Sequence, residues 1–280
     1  MQRLGKLWWV PVLALALLLP ATAQGEVYFE AYMGGVAAAN DATSFRIGPR
    51  PNLTNVMLNV EVPGVYDNPF FQGGLKLGTW FVPEGFLGFN YPRWMKYLGF
   101  YLDFSYHRLN QQVSREGTLT AWNTAGVVTY NSQFNPDGTL RRSGTTWKCE
   151  GHAATLAFMF AARYGFLPDP EVPFGRLQPY VAVGPAILFT GQAVKFVDPN
   201  GIYSVVTGAQ SVAVICLAVE AGVRYMALKN VSLDASFKYR FAQPSFSYSF
   251  PDINDGRTHE FTLNRTYNLF SFQVGAAYHF

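Results

Sequence analysis

Charge, cysteine and histidine are all scarce in this 280-residue chain: 14% of residues are charged, with two cysteines and four histidines. Two cysteines cannot build a disulfide scaffold. The histidines, His107, His152, His259 and His279, stand at no metal-ligand spacing, so neither a metal nor a cofactor is expected. The clustered Lys and Arg that nucleic-acid binding needs are absent. After Pro20 no apolar run reaches the ~20 residues of a spanning helix. Nor is there a phosphate-cradling glycine loop, since Gly34-Gly35 and Gly73-Gly74 read as packing or bend positions in strands. What is present in excess is aromatic side chain, 16% of the residues.

The amino terminus reads as an export address. Arg3 and Lys6 precede the apolar run Leu7–Leu19, and Ala21-Thr22-Ala23 offers a small-residue cleavage site. Residues 1–23 are therefore expected to be a cleaved signal peptide, and 24–280 a single domain. Of 21 basic residues the leader holds two, leaving 19 against 18 acidic ones, a mature charge of +1.

Beyond the leader, eight segments alternate apolar with small or polar residues, the period-two mark of a strand with one oily face. They are Glu26–Gly34, Phe70–Trp80, Lys96–His107, Glu150–Tyr164, about Gln178–Phe196, a segment running to Met226, Val231–Phe241 and Tyr267–Phe280. In the third, Leu98, Phe100, Leu102, Phe104 and Tyr106 oppose Tyr97, Gly99, Tyr101, Asp103, Ser105 and His107. Pro185 interrupts the fifth and predicts a local bulge. Strands that face lipid must close into a barrel to satisfy every backbone group. The expected fold is all-β, a closed antiparallel transmembrane β-barrel of eight strands.

The connections support that count. The links 35–69, 108–149, 197–201 and 242–266 alternate with the shorter 81–95, 165–177 and 227–230, as extracellular loops alternate with periplasmic turns. The 197–201 link is short because its strands run past the membrane to a tip at Asp198-Pro199-Asn200-Gly201. Thr118–Phe134 is β-rich, and a hairpin there would raise the count to ten. Trp80, Phe81, Phe86, Phe89, Tyr91, Trp94, Tyr164 and Phe166 are expected to form the periplasmic aromatic girdle.

At Pro179–Pro185, Glu220–Tyr225 and Leu233–Arg240 the chain resembles the last strands of small bacterial outer-membrane β-barrels, the stand-alone relatives of the OmpA/OmpX-type membrane domain. Tyr278 and the terminal Phe280 resemble the signal that the barrel-assembly machinery reads. The resemblance implies integral residence in the outer membrane, with its lipid and lipopolysaccharide as partners. It implies location far more than activity, and it names no extracellular ligand.

The inward parity collects Glu30, Asp103, Glu220 and Asp234 with Lys76, Arg163, Arg224, Lys238 and Arg240. An eight-stranded barrel is only wide enough for side chains to fill, and buried charges must pair. A polar plug is expected, with a narrow ion path as the other reading. Asp103, Ser105 and His107 have the residue types of a hydrolytic triad. Neighbours two apart on a strand stand ~7 Å apart, too far for a nucleophile–base bond. No catalytic residue is therefore assigned, and no enzyme is expected. The leading function is an integral barrel presenting loops for surface contact or envelope integrity, with a lipid-modifying hydrolase and a small passive channel as competing readings. Cys149 and Cys216 are expected to stay unpaired, because strand five lies between their strands.

Overall fold

The computed structural model describes residues 26–39, 41–47, 57–66, 68–81, 92–113, 118–122, 146–172, 174–197, 206–251 and 258–280. The expected signal peptide, the tip at Asp198–Gly201, most of Thr118–Phe134, and the girdle residues Phe86, Phe89 and Tyr91 lie outside them.

Eight antiparallel strands close into a barrel. They are β1 (Glu26–Ala38), β4 (Phe70–Trp80), β5 (Leu98–Arg108), β8 (Thr146–Arg163), β9 (Leu177–Val197), β10 (Val206–Leu228), β11 (Val231–Ala242) and β14 (Tyr267–His279). The ladder runs β1–β4–β5–β8–β9–β10–β11–β14, and β14 returns to β1 with Phe29 opposite Tyr278. Each corresponds to one alternating segment of the sequence, and the expected faces hold. Gln72, Lys76, Asp103, Ser105 and Glu220 are buried inside, while Phe71, Phe104, Phe160, Val181, Phe237 and Phe272 stand exposed on the outer wall.

That wall carries large apolar side chains on every strand, Phe71 being 72% exposed. A soluble protein does not leave so continuous an apolar surface to water, and lipid satisfies it. Among the described residues no helix is long and apolar enough to cross a membrane; the apolar outer face of the closed ladder marks the strands as the spanning elements. The architecture is that of a transmembrane β-barrel of the outer-membrane kind.

Two local expectations need correction. Pro185 causes no bulge: Leu156 still faces Ile187, Phe160 still faces Val183, and Leu217 faces Pro185 on the other side. Proline lacks an N–H, so the ladder loses rungs near Phe158 and Met159 while both strands keep equal length. The register shift falls instead between Met226 and Leu228. The third strand starts at Leu98, because Arg93–Tyr97 forms a 3-10 turn that takes Tyr97 out of the lumen.

The remaining strands build a second tier at the end where the long connections leave. They are β2 (Asp41–Ile47), β3 (Met57–Tyr66), β6 (Gln111–Val113), β7 (Thr118–Trp122), β12 (Ser245–Pro251) and β13 (Thr258–Asn264). The ladder passes β12–β13–β2–β3–β6–β8, with β7 also on β3. β8, β9 and β10 contribute their outer halves, because 21 and 23 residues in β9 and β10 far exceed the ~9–11 of a membrane strand. Thr118–Trp122 thus pairs with β3 outside the barrel wall, and the barrel keeps eight strands. β10 and β12 share no rung among the described residues, although Tyr248 of β12 lies against Gly208 of β10.

Candidate functional site: the filled lumen

The barrel interior is stacked in layers along its axis. At the turn end Arg163, projecting from β8, is held between the rings of Trp80 at 4.1 Å and Phe174 at 4.2 Å. Its Nη1 donates to Glu26 Oε1 at 2.8 Å and Gln178 Oε1 at 2.9 Å, and its Nη2 pairs with Glu26 Oε2. Trp80 is thereby a lumen residue and not part of the girdle. It shares the parity of Gln72 and Lys76, and its buried ring covers the guanidinium. Trp94, Tyr164 and Phe166 are exposed, as a girdle requires.

The middle layers hold most of the charge. Lys76 Nζ lies 2.7 Å from Glu220 Oε1 and 3.0 Å from Glu30 Oε1. Arg224 reaches Glu30 at 2.6 Å and Asp234 at 3.4 Å. Lys238 links Glu220 Oε2, at 3.1 Å, to Asp103. Tyr180 donates to Glu220 or Asp234, at 2.7 and 2.9 Å, and Tyr32 donates to Asp103 at 2.5 Å. Above them Arg240 touches no carboxylate among the described residues. Its Nη atoms donate to Ser105, Thr155, Gln72 and Ser271 at 2.7–3.0 Å.

All nine expected lumen residues are buried, and eight of them join carboxylate–cation contacts. Sequence parity missed one member: Glu26 shares the inward parity of Tyr28 and Glu30 but stands at the edge of the first segment. With it, five acids (Glu26, Glu30, Asp103, Glu220 and Asp234) balance five bases. Arg240 therefore offsets the surplus acid of the layer beneath it without touching it.

Tyrosines fill the space between the ion pairs, and glycines make room for them. A Cβ on Gly74 would fall 2.3 Å from the Tyr32 ring, and one on Gly78 2.6 Å from the ring of Tyr28. Toward the loop end apolar side chains become more frequent: Val36, Phe70, Leu109, Leu188 and Leu269 are buried there beside Thr190, Gln192, Arg265 and Tyr267, whose hydroxyl accepts from Gln192 Nε2. Among the described residues, buried side chains reach into the lumen in every one of these layers.

The triad-like residues are engaged separately. Asp103 binds Tyr32 and Lys238, Ser105 accepts from Arg240, and His107 Nδ1 is 2.9 Å from the Arg108 carbonyl. Among the described residues no three His, Cys, Asp or Glu side chains group as metal ligands do. Cys149 and Cys216 are both buried and free. Cys149 faces Val194 and Cys216 faces Ala186 on β9, eight residues apart, which adds ~27 Å along the strand to their lateral separation.

Tyr278 and Phe280 are exposed at the turn end, their rings 5.2 Å apart. The Phe280 N–H donates to the Val27 carbonyl at 2.9 Å, pinning the carboxyl terminus to β1.

No protein-family model and no curated protein sequence matches the chain. Among solved structures it is similar to the outer-membrane protease OmpT of Escherichia coli, with 10% identity, 92% of this chain and 98% of that one covered, and a TM-score of 0.47. It is similar to OprG of Pseudomonas aeruginosa at 12% identity, 91% and 96% coverage and a TM-score of 0.45. A major outer-membrane protein of Thermus thermophilus gives 15% identity, 91% and 99% coverage and a TM-score of 0.41. The closed ladder and the polarity of its two faces, rather than these distant likenesses, identify the barrel.

Proposed function

We propose that this chain is a non-enzymatic integral outer-membrane protein whose filled barrel anchors an extracellular β-tier for surface contact or envelope integrity. The observation that carries the reading is the lumen itself: buried ion pairs and hydrogen-bonded polar and apolar side chains occupy it, so the outer tier is left to meet the surroundings. Residues 1–23 serve as the cleaved export signal, and Tyr278 with Phe280 is read by the barrel-assembly machinery. Outer-membrane phospholipid and lipopolysaccharide surround the apolar belt.

The test uses the purified barrel beside a variant in which 245–264 is replaced by a short Gly/Ser turn. Both should run faster folded than boiled on a cold detergent gel, because the ladder of the barrel closes without that hairpin. Intact protein should bind at least one component in a screen of host-matrix and envelope materials, and the shortened one should not. Stepwise conductance in planar bilayers, or hydrolysis of labelled lipid A, would overturn the proposal.

A further inference from the structure

The 3-10 turn Arg93–Tyr97 at the turn end contains Arg-Trp-Met-Lys-Tyr. Side chains three apart on such a turn eclipse one another. Arg93 and Lys96 therefore share one edge, about 6 Å apart along the axis, while Trp94 and Tyr97 share the next. The turn is closed by the Met95 N–H on the Pro92 carbonyl at 2.9 Å.

The aromatic edge is built into a larger stack. Tyr97 lies parallel to Tyr164, 5.8 Å between centroids, and meets Phe174 edge-on at 5.7 Å. Tyr164 in turn packs on Phe166 at 5.0 Å. Backbone bonds hold that second turn, from Tyr164 N–H to the Pro179 carbonyl and between Phe166 and Leu177. The Lys96 ammonium sits 5.1 Å over the Tyr97 ring, so the platform steers a cation as well as exposing rings. Arg93, Trp94 and Lys96 are all exposed, and no described acid pairs with either cation. The neighbouring turn differs, because Arg176 there is already bound to Asp169 at 2.7 Å. Directly beside the platform the lipid-facing wall begins with Leu98 and Phe100, and Phe100 packs on Phe160.

We infer that Arg93 and Lys96 form a headgroup site for an anionic phospholipid of the periplasmic leaflet, its phosphate between the two cations and its acyl chains along Trp94, Tyr164 and Phe160. The inference rests on the membrane reading above, which supplies the leaflet. The cations pair with the phosphate, and the exposed rings occupy the headgroup level, where amphipathic aromatics are favoured.

Native mass spectrometry of the folded barrel tests it, with phosphatidylglycerol, phosphatidylcholine and lipid A offered as probes. Wild type should retain phosphatidylglycerol about 30-fold over phosphatidylcholine, the effect of two surface cations. Arg93→Ser with Lys96→Ser should abolish that preference, whereas Lys229→Ser, at another turn, should keep it. Equal retention of the two phospholipids, stronger retention of lipid A, or an equal loss in Lys229→Ser would each overturn the site. If the double variant fails to fold, Arg93→Gln and Lys96→Gln decide the matter singly, each expected to lower the preference about fivefold, and an unchanged preference in both would overturn the site. Gel mobility of the same samples reports barrel closure, so failure of the membrane reading is seen separately.

Discussion

Two adjacent glycines on β4 should respond to alanine with opposite sign. Gly73 faces lipid, and a Cβ there meets nothing within 4 Å. Gly74 faces the lumen, where the same atom would lie 2.3 Å from Tyr32 Cζ and Oη and 2.6 Å from the Phe104 carbonyl oxygen. The second contact is with backbone, so turning a side chain away cannot relieve it, and the β4–β5 spacing must open. Overpacking of this kind costs about 1–3 kcal/mol. Displacing Tyr32 also removes the 2.5 Å hydrogen bond to Asp103, a loss of about 1.5–3 kcal/mol when the acceptor is charged. Gly74→Ala should therefore destabilise by about 3–5 kcal/mol. Gly73→Ala should stabilise by about 0.5–1 kcal/mol through the smaller backbone freedom of the unfolded chain. Urea unfolding in phospholipid vesicles, followed by tryptophan emission and cold-gel mobility, measures both. Equal shifts in the two variants would refute the assignment of faces on β4 and the tyrosine-filled lumen with it.

Lys76→Met should cost about 3 kcal/mol, the low end for a broken buried pair, because Glu220 keeps Lys238 and Glu30 keeps Arg224. Adding Glu220→Gln should recover part of that loss in the same unfolding assay. Phe104→Arg should cost about 2–4 kcal/mol at mid-membrane and slow insertion, whereas Ser105→Thr, on the polar side, should assemble normally on a cold gel. In the turn outside the membrane, the hydrogen bond from Arg176 holds the Asp169 carboxyl below its usual range. Asp169 should thus stay ionised to lower pH than a free aspartate, and Arg176→Ala should raise its midpoint in a carboxyl NMR titration. Thiol labelling of denatured, unreduced protein should find both Cys149 and Cys216 reactive.

The membrane strands were legible because lipid imposes one rule on every outward residue, so parity alone separates wall from lumen. The same parity places Trp80 inside, and only the expectation of an aromatic girdle pointed it outward. Tyr97 escaped for a local reason: the chain leaves extended geometry at Arg93–Tyr97, and alternation has no meaning inside a 3-10 turn. The outer tier was hidden more deeply. Its pairings join residues far apart in the chain, such as Phe45 with Leu263 and Val60 with Leu119, and no local pattern specifies a distant partner. A trace was nevertheless present in Ser245-Phe246-Ser247-Tyr248-Ser249-Phe250, which alternates as cleanly as any membrane strand. Its position inside the long 242–266 connection makes it read as loop.

That segment also shows where the bilayer ends. In the membrane tier polar side chains point inward and apolar ones outward, because lipid accepts the latter and the ion pairs need shelter from it. On β12 the rule is reversed: Phe246 and Tyr248 are buried, while Ser245, Ser247 and Ser249 are exposed. β13 continues the reversal with Leu263 buried and Asn264 exposed. Water outside the tier now makes apolar burial the favourable choice. Between the two regimes both faces are apolar, with Leu188 and Cys216 inside and Phe189 and Ile215 outside, Ile215 being 78% exposed. β8, β9 and β10 cross this boundary without a shift of register, so three adjacent strands tie the lipid-bound barrel to the water-bound tier.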